Sequence, residues 1–137
     1  MTSQSPAPVR RPKTISRRSR EASSAIRVHA DRLFYDKGIT ETSMREVARA
    51  TEISLSRLTR TYPTKEELIL EYLAGRHLKD VERLKSLTSG DRTPQQTLHG
   101  VLDSIVTELL SPGFRGCAFL NASAEAGHHY PSIRVEV

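Results

Sequence analysis

The sequence contains no tryptophan, a single cysteine and few aromatic side chains, and each shortage limits what the chain can be. Aromatic residues make up 5% of its 137 residues and hydrophobic residues 36%, which is lean for a chain that is packed throughout. One cysteine cannot close an internal disulfide, so we expect a reducing compartment. No apolar run reaches the roughly 18 residues that a membrane-spanning helix needs, and the N-terminal end lacks the apolar stretch of a secretory signal. We therefore predict a cytoplasmic protein without a membrane partner.

Acidic residues are absent from the first 20 positions, which carry six basic side chains: Arg10, Arg11, Lys13, Arg17, Arg18 and Arg20. The whole chain has a net charge of +5, so the rest, with 15 basic and 16 acidic residues, is nearly neutral. Pro6, Pro8 and Pro12 disfavour a helix in this segment. We therefore predict a disordered basic arm over residues 1–18.

After the arm, the sequence shows a series of helical patterns with clear starts and stops. The first has an apolar face from about residue 22 and ends at Lys37 and Gly38. Capping boxes then open a short helix at Ser43 and a longer one at Thr64, and Thr93 followed by proline opens another. No segment alternates with the period of a strand, so we predict an all-α fold.

The helix after Thr93 has the most regular apolar stripe in the chain, which we expect to be core. Its alternative role is one wall of a ligand pocket. A weaker helix is expected from Ala118 to Ala126, and Cys117 is expected to be a small buried side chain. The stripe consists of Leu98, Val101, Leu102, Ile105, Val106, Leu109 and Leu110.

Residues 43–62 form two short helical patterns joined by the three-residue turn Thr51-Glu52-Ile53, the arrangement of a helix-turn-helix. The second helix keeps only Leu58 and Tyr62 for the core. Its remaining side chains are either an ordinary solvated face or a DNA-reading face, since such helices lie in the major groove. The DNA-reading candidates are Ser54, Leu55, Ser56, Arg57, Thr59 and Arg60.

The stretch AIRVHADRLFYDKGITETSMREVARATEISLSRLTRTYPTKEELI, residues 25–69, resembles the DNA-binding domain of the TetR family of bacterial transcriptional regulators. The resemblance covers residues 19–79, a three-helix helix-turn-helix domain. FRGCAFLNASAE, residues 114–125, resembles part of the family's regulatory domain, so residues 80–137 are predicted to be a partial C-terminal domain. The matching positions are Ala30, Leu33, Phe34, Gly38, Thr42, Ser43, Met44, Val47, Ala48, Ile53, Ser54, Leu58, Tyr62, Lys65 and Glu66.

This resemblance implies a repressor that binds double-stranded DNA and leaves its operator when a small-molecule effector binds the C-terminal domain. By position, it implies that Thr42, Ser43 and Arg45 face the DNA backbone. It also implies that Lys65 holds a phosphate at the start of the fourth helix, where the helix end itself favours an anion. Bases or nearby phosphates would be read by Leu55, Ser56, Arg57 and Arg60. No cofactor is predicted.

The sequence departs from the family pattern in four places. Glu52 stands where the family commonly has glycine, at a cost of about 1–2 kcal/mol if the turn is left-handed there. Leu55-Ser56 replaces Lys-Gly and Thr59 replaces tyrosine, so we expect a weaker or unusual operator preference. The family is homodimeric through two terminal helices, and this chain ends near the first of them. We therefore expect mostly monomer and weaker DNA binding.

Three other functions stay open from sequence. One is a truncated interaction module that binds DNA weakly or not at all. Another is a general nucleic-acid binder that acts through its arm alone. The third is a thiol or metal enzyme built on Cys117, Glu125, His128 and His129, which lacks paired ligands at metal spacing and an orienting acid. We predict no catalytic and no metal-binding residues.

Overall fold

The computed structural model describes residues 17–135, which form helices only, and this confirms the predicted all-α fold. The predicted arm lies outside the described residues except for Arg17 and Arg18, which already belong to the first helix. The helices are α1 Arg17–Asp36, α2 Met44–Ala50, α3 Leu55–Thr61, α4 Lys65–Thr88, α5 Pro94–Leu109, α6 Ala118–Ala126 and α7 Pro131–Val135.

Local capping bonds fix where α2, α4 and α5 begin. At α2 the Ser43 hydroxyl accepts from the Glu46 N–H at 3.2 Å, and the Glu46 carboxylate accepts from the Ser43 N–H at 2.8 Å. Thr93 and Gln96 form the same reciprocal pair at α5. At α4 the Thr64 hydroxyl accepts from the Glu67 N–H, which is the hydroxyl half of a box. These bonds satisfy amide groups that a helix start leaves without partners.

One hydrophobic cluster joins α1–α4 with α6 and α7. Phe34 of α1 meets Tyr72 of α4 edge to face, with ring centroids 5.6 Å apart. Burial raises the pKa of Tyr72 to about 12. The Arg76 guanidinium carbon lies 4.3 Å from the Tyr35 ring centroid, and the Arg76 Nε–H donates to Asp31 Oδ1 at 2.6 Å. The helix-turn-helix is therefore packed onto the same core as the later helices.

The prediction that the α5 stripe is core is wrong. Leu102 is 50% exposed and Leu109 is 54% exposed, and no residue of α5 is buried. The helix packs on α4 through a less apolar side, on which Thr97, Val101 and Ser104 are partly buried. Among the described residues, nothing covers the more apolar side.

The prediction that Cys117 is buried is also wrong, because its side chain is exposed. Cys117 is the extended N-cap residue of α6 and makes no side-chain capping bond. The small positions that face the core on this helix are Ala118, Ala122 and Ala126, spaced four residues apart.

Candidate nucleic-acid interface

The turn between α2 and α3 is a Schellman motif that has glutamate at the usual glycine position. The Glu52 N–H donates to the Arg49 carbonyl at 3.1 Å, and the Ile53 N–H donates to the Ala48 carbonyl at 3.0 Å. Glu52 has φ +55°, the only positive φ of a non-glycine residue in the described range. The backbone at Glu52 is therefore left-handed, as the family's glycine at this position implied. A residue with a side chain is strained in this conformation.

α3 packs inward through two residues and exposes the others. Leu58 is fully buried and Tyr62 is 9% exposed, as their four-residue spacing predicted. The Ser54 hydroxyl caps the helix by accepting from the Arg57 N–H at 3.2 Å. The outward residues are Ser54, Leu55, Ser56, Arg57 and Arg60, with Thr59 partly buried.

Several hydroxyl groups of the predicted site bond within the chain. Thr59 Oγ1 donates to the Leu55 carbonyl at 3.1 Å. Ser43 Oγ lies 3.0 Å from Glu46 Oε2 and remains exposed at the start of α2, with exposed Arg45 two positions later. A phosphate oxygen only accepts, so Ser43 and Thr59 must exchange these donated bonds to contact one. Ser54 only accepts in its capping bond, which leaves its hydroxyl hydrogen for another acceptor.

Thr42 differs from the other predicted site residues because it is fully buried. Its hydroxyl donates to the Gly38 carbonyl at 2.8 Å and lies 3.3 Å from the Leu33 carbonyl. Leu33 lies in the last turn of α1 and Gly38 lies two residues after its end, so Thr42 links the end of α1 to the start of α2. Its side chain does not face the surface, and we leave it out of the candidate interface.

Charged groups of both signs surround the start of α2 and α4. The Lys37 ammonium, the Ser43 N–H and the Ser43 hydroxyl lower the pKa of Glu46 from 4.5 to about 2, in that order of effect. Lys65, the first residue of α4, is partly buried, and burial lowers its pKa while Glu46, Glu125 and Glu41 oppose the shift. Lys65 therefore lies at a helix N-terminus, which favours an anion, and among carboxylates, which repel one.

Contacts from the later helices reach the loop before α2, and sequence reasoning missed them. The Glu125 carboxylate of α6 accepts from the Ile39 N–H at 2.6 Å, and the Thr40 hydroxyl donates to the Glu125 carbonyl at 3.3 Å. The Tyr35 hydroxyl donates to the Gly116 carbonyl at 3.0 Å. These partners lie 81–86 residues apart, and no local sequence pattern predicts hydrogen bonds between residues so far apart.

A cavity of about 230 Å³ lies between α1, α4, α5 and the start of α6. Its lining includes Tyr35, Arg76, Ile105, Cys117 and Phe119. Within residues 17–135, no group of three His, Cys, Asp or Glu side chains is placed to hold a metal ion. No helix in that range combines the length and apolarity needed to cross a membrane.

Comparison with known proteins identifies the type of DNA-binding domain. The sequence profile for bacterial regulatory proteins of the tetR family matches residues 26–72. A solved TetR-family transcriptional regulator from Streptomyces coelicolor superposes with a TM-score of 0.77 at 30% sequence identity. Residues 26–72 therefore form a DNA-binding domain of the TetR family type.

The superposition covers 85% of this chain and 62% of the Streptomyces protein, so the chain spans under two thirds of that relative's length. No curated protein sequence gives a significant match. The matched residues 26–72 contain α2 and α3, the second half of α1 and the first turns of α4. The profile match thus falls on the segment that sequence reasoning assigned to the TetR-type domain.

Proposed function

We propose that this chain is a DNA-binding transcriptional regulator in which α3 lies in the major groove of double-stranded DNA. The observation that carries the proposal is the division of α3 into two faces. Leu58 and Tyr62 fix it to the core, while Arg57 and Arg60 are exposed. A recognition helix needs this division, because it must be held rigidly while its other face contacts base edges.

The outward residues have the chemistry for direct readout. Arg57 and Arg60 can bind guanine edges with two hydrogen bonds, Ser56 can bond a base or a phosphate, and Leu55 can contact a thymine methyl group. In the proposed complex the DNA backbone is contacted near the starts of α2 and α3 by Arg45, Ser43, Ser54 and Thr59. Lys65 holds a phosphate at the N-terminus of α4, which places both a cation and a helix end at one anion.

We further propose repression that is relieved by a small effector, in the cytoplasm of a bacterium. The cavity beside Tyr35 is larger than the roughly 150 Å³ that holds a benzene molecule. Its lining includes the start of α6, and α6 bonds to the loop before α2 through Glu125. A ligand there would act on the DNA-binding helices through that contact. The proposed activity is binding and not catalysis.

Selection from random duplex DNA tests the proposal. The full chain is incubated with a random duplex pool at low salt, and bound DNA is amplified over several rounds. We expect a common sequence to be enriched, because direct readout discriminates by about 1–3 kcal/mol per good base contact.

The exposed apolar side of α5 favours a second candidate function, an interaction module that binds DNA weakly or not at all. The same selection separates the two functions. If folded protein recovers DNA without enriching any sequence, or recovers none, the module is favoured and the regulator proposal is wrong.

A further inference from the structure

The loop between α1 and α2, residues 37–43, is bound by a side chain from far along the chain. The Glu125 carboxylate of α6 accepts from the Ile39 N–H at 2.6 Å, and the same oxygen lies 3.4 Å from the Thr40 nitrogen. Among the described residues, no other acceptor serves either N–H. A carboxylate is well suited to this task, because a charged acceptor makes a shorter and stronger hydrogen bond than a neutral one.

Glu125 meets the α1–α2 loop at two further places. The Thr40 hydroxyl donates to the Glu125 carbonyl at 3.3 Å. Gly38 has φ +104°, and a methyl group on its Cα would lie 3.0 Å from Glu125 Oε2. The loop therefore has no side chain at the point where the carboxylate lies against its backbone, and glycine is the residue that fits both the φ and the space.

The residues that Glu125 binds lead directly to the start of α2. The Thr42 N–H donates to the Ile39 carbonyl at 3.3 Å, and the Thr42 hydroxyl donates to the Gly38 carbonyl at 2.8 Å. The next residue, Ser43, is the N-cap of α2. In the proposed complex the start of α2 contacts the DNA backbone, so the position of the α1–α2 loop decides where those contacts fall.

α6 presents Glu125 from a firmly packed position. The adjacent Ala126 is 2% exposed, and Ala122, one turn earlier, is fully buried. After α6, the Ser132 hydroxyl of α7 donates to the Glu66 carboxylate in the first turn of α4. Glu125 therefore belongs to a helix that is fixed to the core directly and, through α7, to the start of α4.

We propose that Glu125 is a positioning residue for DNA binding, whose carboxylate holds the α1–α2 loop so that the start of α2 meets the DNA backbone. This role rests on the proposed function and goes beyond it, because a residue outside the matched residues 26–72 then sets DNA affinity even when no effector is bound. α3 is held separately, by Leu58 and Tyr62. Loss of Glu125 should therefore affect backbone contacts and leave base reading intact.

Glu125→Ala tests this role, because charge and positioning predict effects of opposite sign. Removal of a negative charge near DNA would by itself strengthen binding. Release of the loop should instead weaken binding, by roughly five- to tenfold for one lost phosphate contact at about 0.1 M salt, and should flatten the slope of log K against log salt by about 0.9. The preference for the selected duplex over a scrambled one should not change. Fluorescence anisotropy at several salt concentrations measures both quantities.

Further variants separate the hydrogen bond from the charge and from helix stability. Glu125→Gln removes the charge but keeps a carbonyl that accepts from the Ile39 N–H, so it should bind at least as tightly as the unchanged protein. Ala124→Gly weakens the same helix at an exposed position and should keep the salt slope. If circular dichroism shows that Glu125→Ala does not fold, Glu125→Asp replaces it. Aspartate keeps the charge with a shorter reach, and should weaken binding in the same way.

Amide hydrogen exchange followed by NMR tests the hold on the loop without DNA. The Ile39 amide should be protected in the unchanged protein and in Glu125→Gln. In Glu125→Ala it should exchange on the order of tenfold faster, as the loss of one charge-assisted hydrogen bond implies. The Leu58 amide of α3 donates to the Ser54 carbonyl and should exchange alike in all three proteins.

The proposal is overturned if Glu125→Ala binds the selected duplex as tightly as the unchanged chain or more tightly, or if its Ile39 amide keeps full protection. It is also overturned if Glu125→Gln weakens binding as much as Glu125→Ala, or if Ala124→Gly flattens the salt slope equally. If the unchanged chain binds no duplex, the regulator proposal fails and this role fails with it. If the unchanged chain binds and only the Glu125 comparison fails, the regulator proposal stands.

Discussion

Glu52 shows at the scale of one residue how a departure from the family pattern is tolerated. The sequence comparison implied glycine at this turn, and the structure places Glu52 in the left-handed region with φ +55°. Both Schellman hydrogen bonds form in spite of the side chain. The protein therefore loses some stability at Glu52, which also brings a negative charge to the helix-turn-helix.

We expect Glu52→Gly to stabilise the protein by about 0.5–1 kcal/mol. Relief of the left-handed strain is worth about 1–2 kcal/mol, and the added freedom of glycine in the unfolded chain returns about 0.5–1 kcal/mol. Urea unfolding measures the difference. Glu52→Ala removes the same charge but keeps the strained Cβ. If alanine stabilises as much as glycine, strain is not the cause.

At the scale of an element, α2 depends on a charged cap. The pKa of Glu46 falls from 4.5 to about 2 because Lys37 and Ser43 donate hydrogen bonds to its carboxylate. A pKa that is lower in the folded state means that the folded state binds the proton less tightly than the unfolded state. This contribution to stability is complete above about pH 4.5 and is lost as the pH falls towards 2.

Glu46→Gln should make the free energy of unfolding less dependent on pH in that window. Glutamine can occupy the same capping-box position but does not titrate. The measurement is urea unfolding at several pH values between 4.5 and about 2. Glu82→Gln, an exposed change on α4, should retain the dependence of the unchanged protein. Equal flattening in both variants would contradict the role given to Glu46.

The elements also show which features a sequence can predict. The Ser43 and Thr93 caps were predictable because each capping box lies within four residues. The exposure of α5 was not, because an apolar stripe shows which side needs cover but not whether the chain supplies it. The bond between Glu125 and Ile39 was equally hidden, since it joins residues 86 positions apart. The outward side of α3 was predictable because its two core residues are four apart.

At the scale of the whole molecule, the basic charge is concentrated at the N-terminal end, and we expect it to contribute much of the DNA affinity. Because α1 begins at Arg17, deletion of residues 1–16 leaves the helix whole and removes Arg10, Arg11 and Lys13. If all three contact phosphates, the slope of log K against log salt should flatten by about 2–3 units.

Deletion of residues 1–9 is the control for this experiment, because that segment contains no charged side chain. Its salt slope should match that of the full chain. Sequence preference should survive both deletions, since phosphate contacts carry no sequence information directly. An unchanged slope after deletion of residues 1–16 would mean that the arm does not contact DNA phosphates. Loss of preference would place base reading in the arm.

The central claim is that α3 reads base sequence through Arg57 and Arg60, and one measurement tests it most directly. The affinity of the Arg57→Ala/Arg60→Ala variant is measured for two duplexes, the preferred one selected by the unchanged chain and a scrambled one. Two base contacts at about 1–3 kcal/mol each predict a loss of discrimination of roughly 30-fold or more. Arg32→Ala/Arg92→Ala removes two exposed arginines from other parts of the chain and should keep the ratio. If the α3 variant still prefers the same duplex by the same ratio, α3 is not the recognition helix.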